Sequence, residues 1–193
     1  MKFVYPPGAT PLSPEELEGL IPVHITTQDE LNAWEQQNIL DGRDRLARRG
    51  PGDLLSEAGV KLVHDRMFDK TWRWAGQYRT SGKNIGVDWA RIVERVYVLC
   101  GDTRYQIEHH TYDADEIATR FHHQLVLIHP FPNGNGRHGR LMADLLLDKM
   151  GSKPFSWGRS DLYSVGAARD AYLAALRSAD AHDYAPLLKF VRS

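Results

Sequence analysis

Between His129 and Arg140 the chain reads His-Pro-Phe-Pro-Asn-Gly-Asn-Gly-Arg-His-Gly-Arg. A proton acceptor, a glycine-rich turn and two arginines fall in one short stretch. An apolar helical run precedes it and another, Leu141 to Leu147, comes after, so the stretch is a loop between two helices. Gly134 and Gly136 let the backbone turn tightly and bring N–H groups up to an anion. The helix beyond them points its positive end at the same place. Arg137 sits in its first turn and Arg140 three residues later, on the same face. Two guanidinium forks beside a helix N-terminus suit a di- or triphosphate. His129, at the other lip, can take a proton from an attacking hydroxyl near neutral pH. The plainer reading, a helix-connecting turn with surface arginines, would serve for Gly-Asn-Gly alone. It does not account for His, Pro, Phe, two glycines and two arginines together.

The elements that must position this loop are mostly helical. The opening segment is turn-rich, with Pro6, Pro7, Gly8, Pro11 and Pro14. Within it, Ser13 as N-cap, Pro14 at the first helical position and Glu16 completing a capping box predict a very short helix over 13–18, stopped by Gly19. A long helix is expected from Thr27 or Gln28 to Arg48, on the spacing of Leu31, Trp34, Ile39 and Leu46. Gly50-Pro51-Gly52 ends it, and Asp53 opens the next helix. Between Trp72 and Asp88 the pattern changes. Gly76, Gly82 and Gly86 punctuate Trp74, Tyr78, Ile85 and Val87, which predicts an irregular β-hairpin with Ser81 to Asn84 near its tip. Further helices are expected around Ile92 to Cys100, from Asp113 or Asp115 to Ile128, and over 136–150, 160–179 and 184–191. His129 precedes a proline and so ends its helix. The fold class is mainly α, a helical bundle with one β-hairpin. Residues 1–50 form an N-terminal segment with the short and long helices, and 51–193 form the core.

The bulk properties narrow the field. A chain of 193 residues can bury a real core in one domain. The net charge of −1 argues against nucleic acid or an anionic membrane as a general partner. The one cysteine, Cys100, excludes an internal disulfide and a cysteine metal cluster, and fits a reducing, cytoplasmic setting. The opening residues lack an apolar secretion core, and no apolar run is long enough to span a membrane. The pairs His109-His110 and His122-His123 diverge around a helix and form no metal clamp. Arg43, Arg45, Arg48 and Arg49 are diluted by Asp41 and Asp44, and compensate a helix C-terminus, with nucleic-acid contact the lesser alternative there.

The loop resembles the core motif of the Fic family: His-Pro-Phe, any residue, Asp or Glu, Gly-Asn-Gly-Arg, two residues, Arg. The match falls at His129, Pro130, Phe131, Gly134, Asn135, Gly136, Arg137 and Arg140. The resemblance covers Asp53 to Arg192. Ile-Thr-Thr and Leu-Asn-Ala-Trp-Glu-Gln-Gln-Asn-Ile also look like a small subgroup, mobile mystery protein B, which implies a helix-turn-helix protein as partner. The family resemblance implies a helical fold with a β-hairpin flap, and transfer of AMP from ATP to a Ser, Thr or Tyr hydroxyl of a target protein. It implies His129 as the base and Gly134 to Gly136 as backbone donors to the growing charge. Asn135 would help hold the α-phosphate region, Arg137 the leaving phosphates and Arg140 the γ-phosphate. Phe131 would anchor the loop. One position departs from the family: its metal-binding acid is Asn133 here. An amide oxygen can ligate Mg²⁺ without charge, so weaker metal affinity is expected.

The resemblance implies two further devices. Tyr78 to Trp89 resembles the Fic flap, on which Lys83, Asn84, Ile85 and Gly86 would align an extended target segment by strand addition. A structural hairpin covering the core is an equal reading for this tip, and Trp72, Trp74 and Trp89 read as packing residues. Glu18-Gly19 resembles the family's inhibitory glutamate, although Ser13 stands five residues before Glu18 and Pro14 occupies the expected position. An ordinary capped helix with a solvated glutamate is the alternative. The brake implies an ion pair between Glu18 and Arg140. Two other functions remain beside AMP transfer: other phosphoryl or nucleotidyl chemistry, including removal of AMP, and a catalytically weak binding module, which Asn133 favours.

Overall fold

The computed structural model describes residues 10–159, 162 and 166–193. Eight α-helices run in chain order among them: α1 Pro14–Leu17, α2 Gln28–Arg49, α3 Glu57–Phe68, α4 Ile92–Glu108, α5 Ala114–Ile128, α6 Asn135–Lys149, α7 Ala167–Asp180 and α8 Ala185–Val191. The first prolines and the expected helix start at Ser160 lie outside the described residues.

The helix starts obey local chemistry. Ser13 caps α1 with a full capping box to Glu16, and Thr27 caps α2 with the same device to Glu30. Asp113 caps α5. α3 begins later than Asp53, because Ser56 accepts from the Gly59 N–H and takes the cap, while Asp53 accepts from the Leu55 N–H in the turn before it. Gly42 explains how closely α2 and α3 pack: a Cβ there would lie 2.1 Å from the Arg66 carbonyl oxygen. Arg45 of the same helix pairs with Asp69 at 2.6 Å, so this arginine ties α2 to the end of α3.

One apolar cluster runs from Leu12 through Leu31, Ile39 and Leu46 of α2 to Val63, Met67, Phe121, Leu125 and Met142. The N-terminal segment therefore shares one core with α3, α5 and α6. A second cluster joins Ala143 and Leu147 of α6 to Tyr172, Leu187 and Val191. α5 and α6 contribute to both clusters and hold the connecting loop between them.

The expected β-hairpin is not formed. Among the described residues there is no strand, and the only bridge joins Leu20 to Trp72. The backbone of the 77–88 segment pairs with the end of α5 and the loop after it instead. Arg79 N–H donates to the Pro130 carbonyl and Val87 N–H to the Ile128 carbonyl. The Arg79 side chain then ties the segment together, donating to the carbonyls of His129, Ser81 and Val87. One buried guanidinium does what cross-strand hydrogen bonds would do in a hairpin. Of the three tryptophans read as packing residues, Trp72 is fully buried, Trp74 packs against the core, and Trp89 is exposed.

Candidate active site

The site begins where α5 stops. His129 is its C-cap, in the left-handed region at φ 54° and ψ 60°. A buried histidine in this conformation is uncommon and is held from several sides. Its N–H donates to the Leu125 carbonyl, and its carbonyl accepts from Arg79 Nε at 2.7 Å. Gly86 of the flap segment touches it from outside. Gly86 has φ 101°, and a Cβ there would fall 2.6 Å from the His129 Cβ.

Burial lowers the His129 pKa to about 4, and the nearby Arg79 and Lys83 charges push the same way. The ring is therefore neutral at pH 7 and can accept a proton. The Val126 carbonyl works against that lowering without offsetting the burial. In the neutral tautomer with its proton on Nδ1, Nε2 is the acceptor, and it lies 2.9 Å from the Thr10 hydroxyl oxygen.

The loop beyond is held on several sides. Phe131 is fully buried and stacks on His64, ring centroids 3.7 Å apart and planes at 17°. Gly76 N–H donates to His64 Nδ1, so Nε2 carries the proton and donates to the Asn133 carbonyl at 3.1 Å. Burial holds His64 well below the ordinary histidine range, which keeps that neutral tautomer. Asn135 is also buried, and both ends of its amide bond the Phe131 backbone, at 2.9 and 2.8 Å. Its side chain staples the loop. Gly134 is the N-cap of α6 with φ 79°, and a Cβ there would strike the Phe68 ring at 2.6 Å. No side chain caps α6, so its first turn presents N–H groups at the cavity.

That cavity has a volume of about 300 Å³. His129, Asn133 to Arg137 and Arg140 line one side, and Thr10, Leu31 and Glu35 close it from the N-terminal segment. Arg140 sits over the Tyr172 ring, whose hydroxyl is bonded to His122 Nε2. Arg137 lies over the Phe68 ring and pairs with Glu35 at 2.6 Å. Glu35 is 5% exposed, and its other oxygen accepts from Trp72 Nε1 at 2.7 Å. The assembly sets a neutral histidine, an uncapped helix N-terminus, two arginines and a carboxylate around one cavity.

Residues 54–147 match the family model described as Fic/DOC. They form a Fic/DOC family domain. The protein adenylyltransferase fic-1 of Caenorhabditis elegans is 35% identical over 81 residues, a stretch that covers 42% of this chain and 15% of that relative. The chain thus spans a small part of that relative's length. The N-terminal Fic domain of Bep8 from Bartonella has the same fold, with a TM-score of 0.72 at 14% identity and 89% of each chain covered. BepC from Bartonella tribocorum, solved with bound AMPPNP, superposes with a TM-score of 0.67 at 16% identity, covering 93% of this chain and 97% of that one.

The geometry sorts the expected residues of this Fic domain. His129, Asn133, Gly134, Asn135, Gly136, Arg137 and Arg140 come together around one cavity, and Ile85 of the flap segment also lines it. Lys83 turns inward, donating to the Pro11 carbonyl at 2.9 Å and pairing with Glu16. Asn84 is exposed. Glu18 does not reach the site. It is the C-cap of α1, its backbone carbonyl accepts from Arg73, and it is not among the residues lining the cavity beside Arg140. The short helix is pinned elsewhere, by Lys83 on Glu16 and by Trp74 on the Glu16 carbonyl. Among the described residues, Glu35 from the middle of α2 is a carboxylate paired with a loop arginine.

Sequence reading missed Glu35, His64, Arg79 and Thr10. Glu35 carried a faint signal, an acid one turn from Leu31 on the helix's buried face. The residues present do not fit a protein-held Mg²⁺. Asn133 Oδ1 already accepts from the Gly134 N–H at 2.6 Å and from Arg137 at 3.3 Å. Among the described residues no three His, Cys, Asp or Glu side chains gather.

Proposed function

We propose that this chain moves AMP from ATP to a protein hydroxyl. The observation that carries the reading is the pairing of a neutral His129 with a hydroxyl oxygen 2.9 Å away, beside an uncapped helix N-terminus bearing Arg137 and Arg140. The α6 N–H groups and the two guanidiniums suit a triphosphate. His129 Nε2 removes the acceptor's proton as its oxygen attacks the α-phosphorus, and pyrophosphate leaves toward the arginines. Backbone N–H groups of Asn135 and Gly136 meet the charge that develops. The adenylyltransferase name of the nematode relative and the AMPPNP bound by BepC support adenosine as the nucleoside. No step is assigned to a metal held by the protein.

The brake belongs to this proposal with its residue changed. Glu35 takes the place intended for Glu18: it neutralises Arg137 inside the cavity and competes with a phosphate for it. The subgroup resemblance keeps a helix-turn-helix protein as the expected partner. A second reading, a nucleotide-binding regulatory module with little turnover, is favoured by the neutral, already bonded Asn133.

ATP labelled at the α- or γ-phosphate tests the reading. α-Label should pass to protein from the wild type, more from Glu35→Gly, and none from His129→Ala. Transfer of γ-label, or α-label transfer that survives His129→Ala, would overturn it.

A further inference from the structure

The hydroxyl that meets the base belongs to this chain. Thr10 is buried, and its Oγ1 lies 2.9 Å from His129 Nε2. Its backbone is held across the mouth of the loop from both sides. Asn133 Nδ2 reaches the Thr10 carbonyl at 3.4 Å, and Lys83 Nζ of the flap segment donates to the Pro11 carbonyl at 2.9 Å. Leu12 then enters the core beside the cavity and anchors the strap ahead of α1. The stretch 10–13 has no regular secondary structure and runs directly into the capped α1. An acceptor segment in trans would need the same three things: a hydroxyl on the base, one backbone contact to the loop and one to the flap. The other hydroxyl lining the cavity among the described residues, Tyr172, is bonded to His122 instead.

We infer that Thr10 is a self-modification site, the cis acceptor of a nucleoside monophosphate from a nucleoside triphosphate bound in the loop. The inference rests on the transfer reading above. His129 Nε2 takes the Thr10 hydroxyl proton. The Thr10 oxygen forms a bond to the α-phosphorus, and the bond from that phosphorus to the bridging oxygen breaks. Pyrophosphate departs with the electron pair, and the proton passes from His129 to water. The product is a phosphodiester on Thr10, and its added charge and bulk would displace the strap from the base. Self-modification would thereby open the mouth to other acceptors.

The test uses the full chain with α-labelled ATP, read by intact mass and peptide mapping, in the wild type and in Glu35→Gly. The expected result is a gain of one nucleoside monophosphate, mapped to Thr10. Thr10→Ser should keep the modification at that position and Thr10→Val should lose it, with melting temperatures checking that both fold. A cis reaction proceeds at a rate per molecule independent of protein concentration, and leaves a His129→Ala chain unlabelled when mixed with active protein. Label on added proteins or on other residues, with Thr10 unmodified, would overturn this inference and leave the transfer reading standing. Absence of any nucleotide transfer, in Glu35→Gly as well, would overturn both.

Discussion

Glu35 and Arg137 are 102 positions apart in sequence and meet at 2.6 Å inside the cavity. Trp72 fixes the carboxylate from behind by donating to its second oxygen. A buried pair of this kind adds little to stability against an apolar alternative, yet removing one partner takes away the charge that balances the other. The pair therefore joins the fold of α2 to the state of the phosphate site, and its consequences can be measured.

Glu35→Gln should lower stability without nucleotide, because Arg137 keeps its contacts to Asn133 and Phe68 but loses this carboxylate's charge. ATP would then supply the missing negative charge. The rise in melting temperature on adding ATP should be larger for Glu35→Gln than for the wild type. An equal rise in both would show that Glu35 does not compete with the nucleotide.

The two glycines of the loop should respond differently. Gly134 has φ 79°, and a Cβ would meet the Phe68 ring at 2.6 Å, so Gly134→Ala should cost about 1–3 kcal/mol of stability. At Gly136 a Cβ meets only an Arg140 nitrogen, at 3.7 Å. Gly136→Ala should leave the fold intact or stabilise it by about 0.5–1 kcal/mol, through its place in α6. Urea unfolding of the two variants would separate them.

Acid should destabilise the protein below the ordinary histidine range. Burial lowers His129 to about 4 and His122 and His138 to about 3. The unfolded chain then binds more protons than the folded one between about pH 6.5 and these values, so stability falls as pH falls through that window. Asp144 works the other way, since burial raises it to about 6 and its contribution is lost as pH rises through that value. Three groups outweigh one, and the melting temperature should fall from about pH 7 to about pH 5. The same shift keeps His129 unprotonated, so the acid limb of any transfer activity should lie nearer its lowered value of about 4 than the ordinary 6.5 while the protein stays folded.

Asn133→Asp should introduce a charged oxygen where the amide now accepts from Gly134 and Arg137. Mg²⁺ prefers such a ligand. A titration of Mg²⁺ against ATP binding should have its midpoint at lower Mg²⁺ in Asn133→Asp than in the wild type. Coincident curves would show that the protein takes no part in holding the ion.

Much of this arrangement depends on neighbours in the chain. The caps at Ser13, Thr27 and Asp113 close within three residues, and the run from His129 to Arg140 carries its own turn and its own helix start. Those features were legible in the sequence because their hydrogen bonds are local. The start of α3 was misplaced because Asp53 and Ser56 both offer a capping oxygen, and only the packed chain selects between them.

The rest was decided by packing. Local pattern suggested a hairpin over 72–88, but its polar backbone found better partners in the Pro130 and Ile128 carbonyls and in one buried arginine, Arg79. Glu18 and Glu35 both stand in the N-terminal segment on helices that could carry a brake. Glu18 lies at the far end of α1, while the close packing of α2 on α3 turns Glu35 into the cavity. The sequence by itself determined a loop able to hold a polyphosphate beside a base. Only the tertiary structure decided which carboxylate and which hydroxyl stand in that loop, because both arrive from more than a hundred positions away.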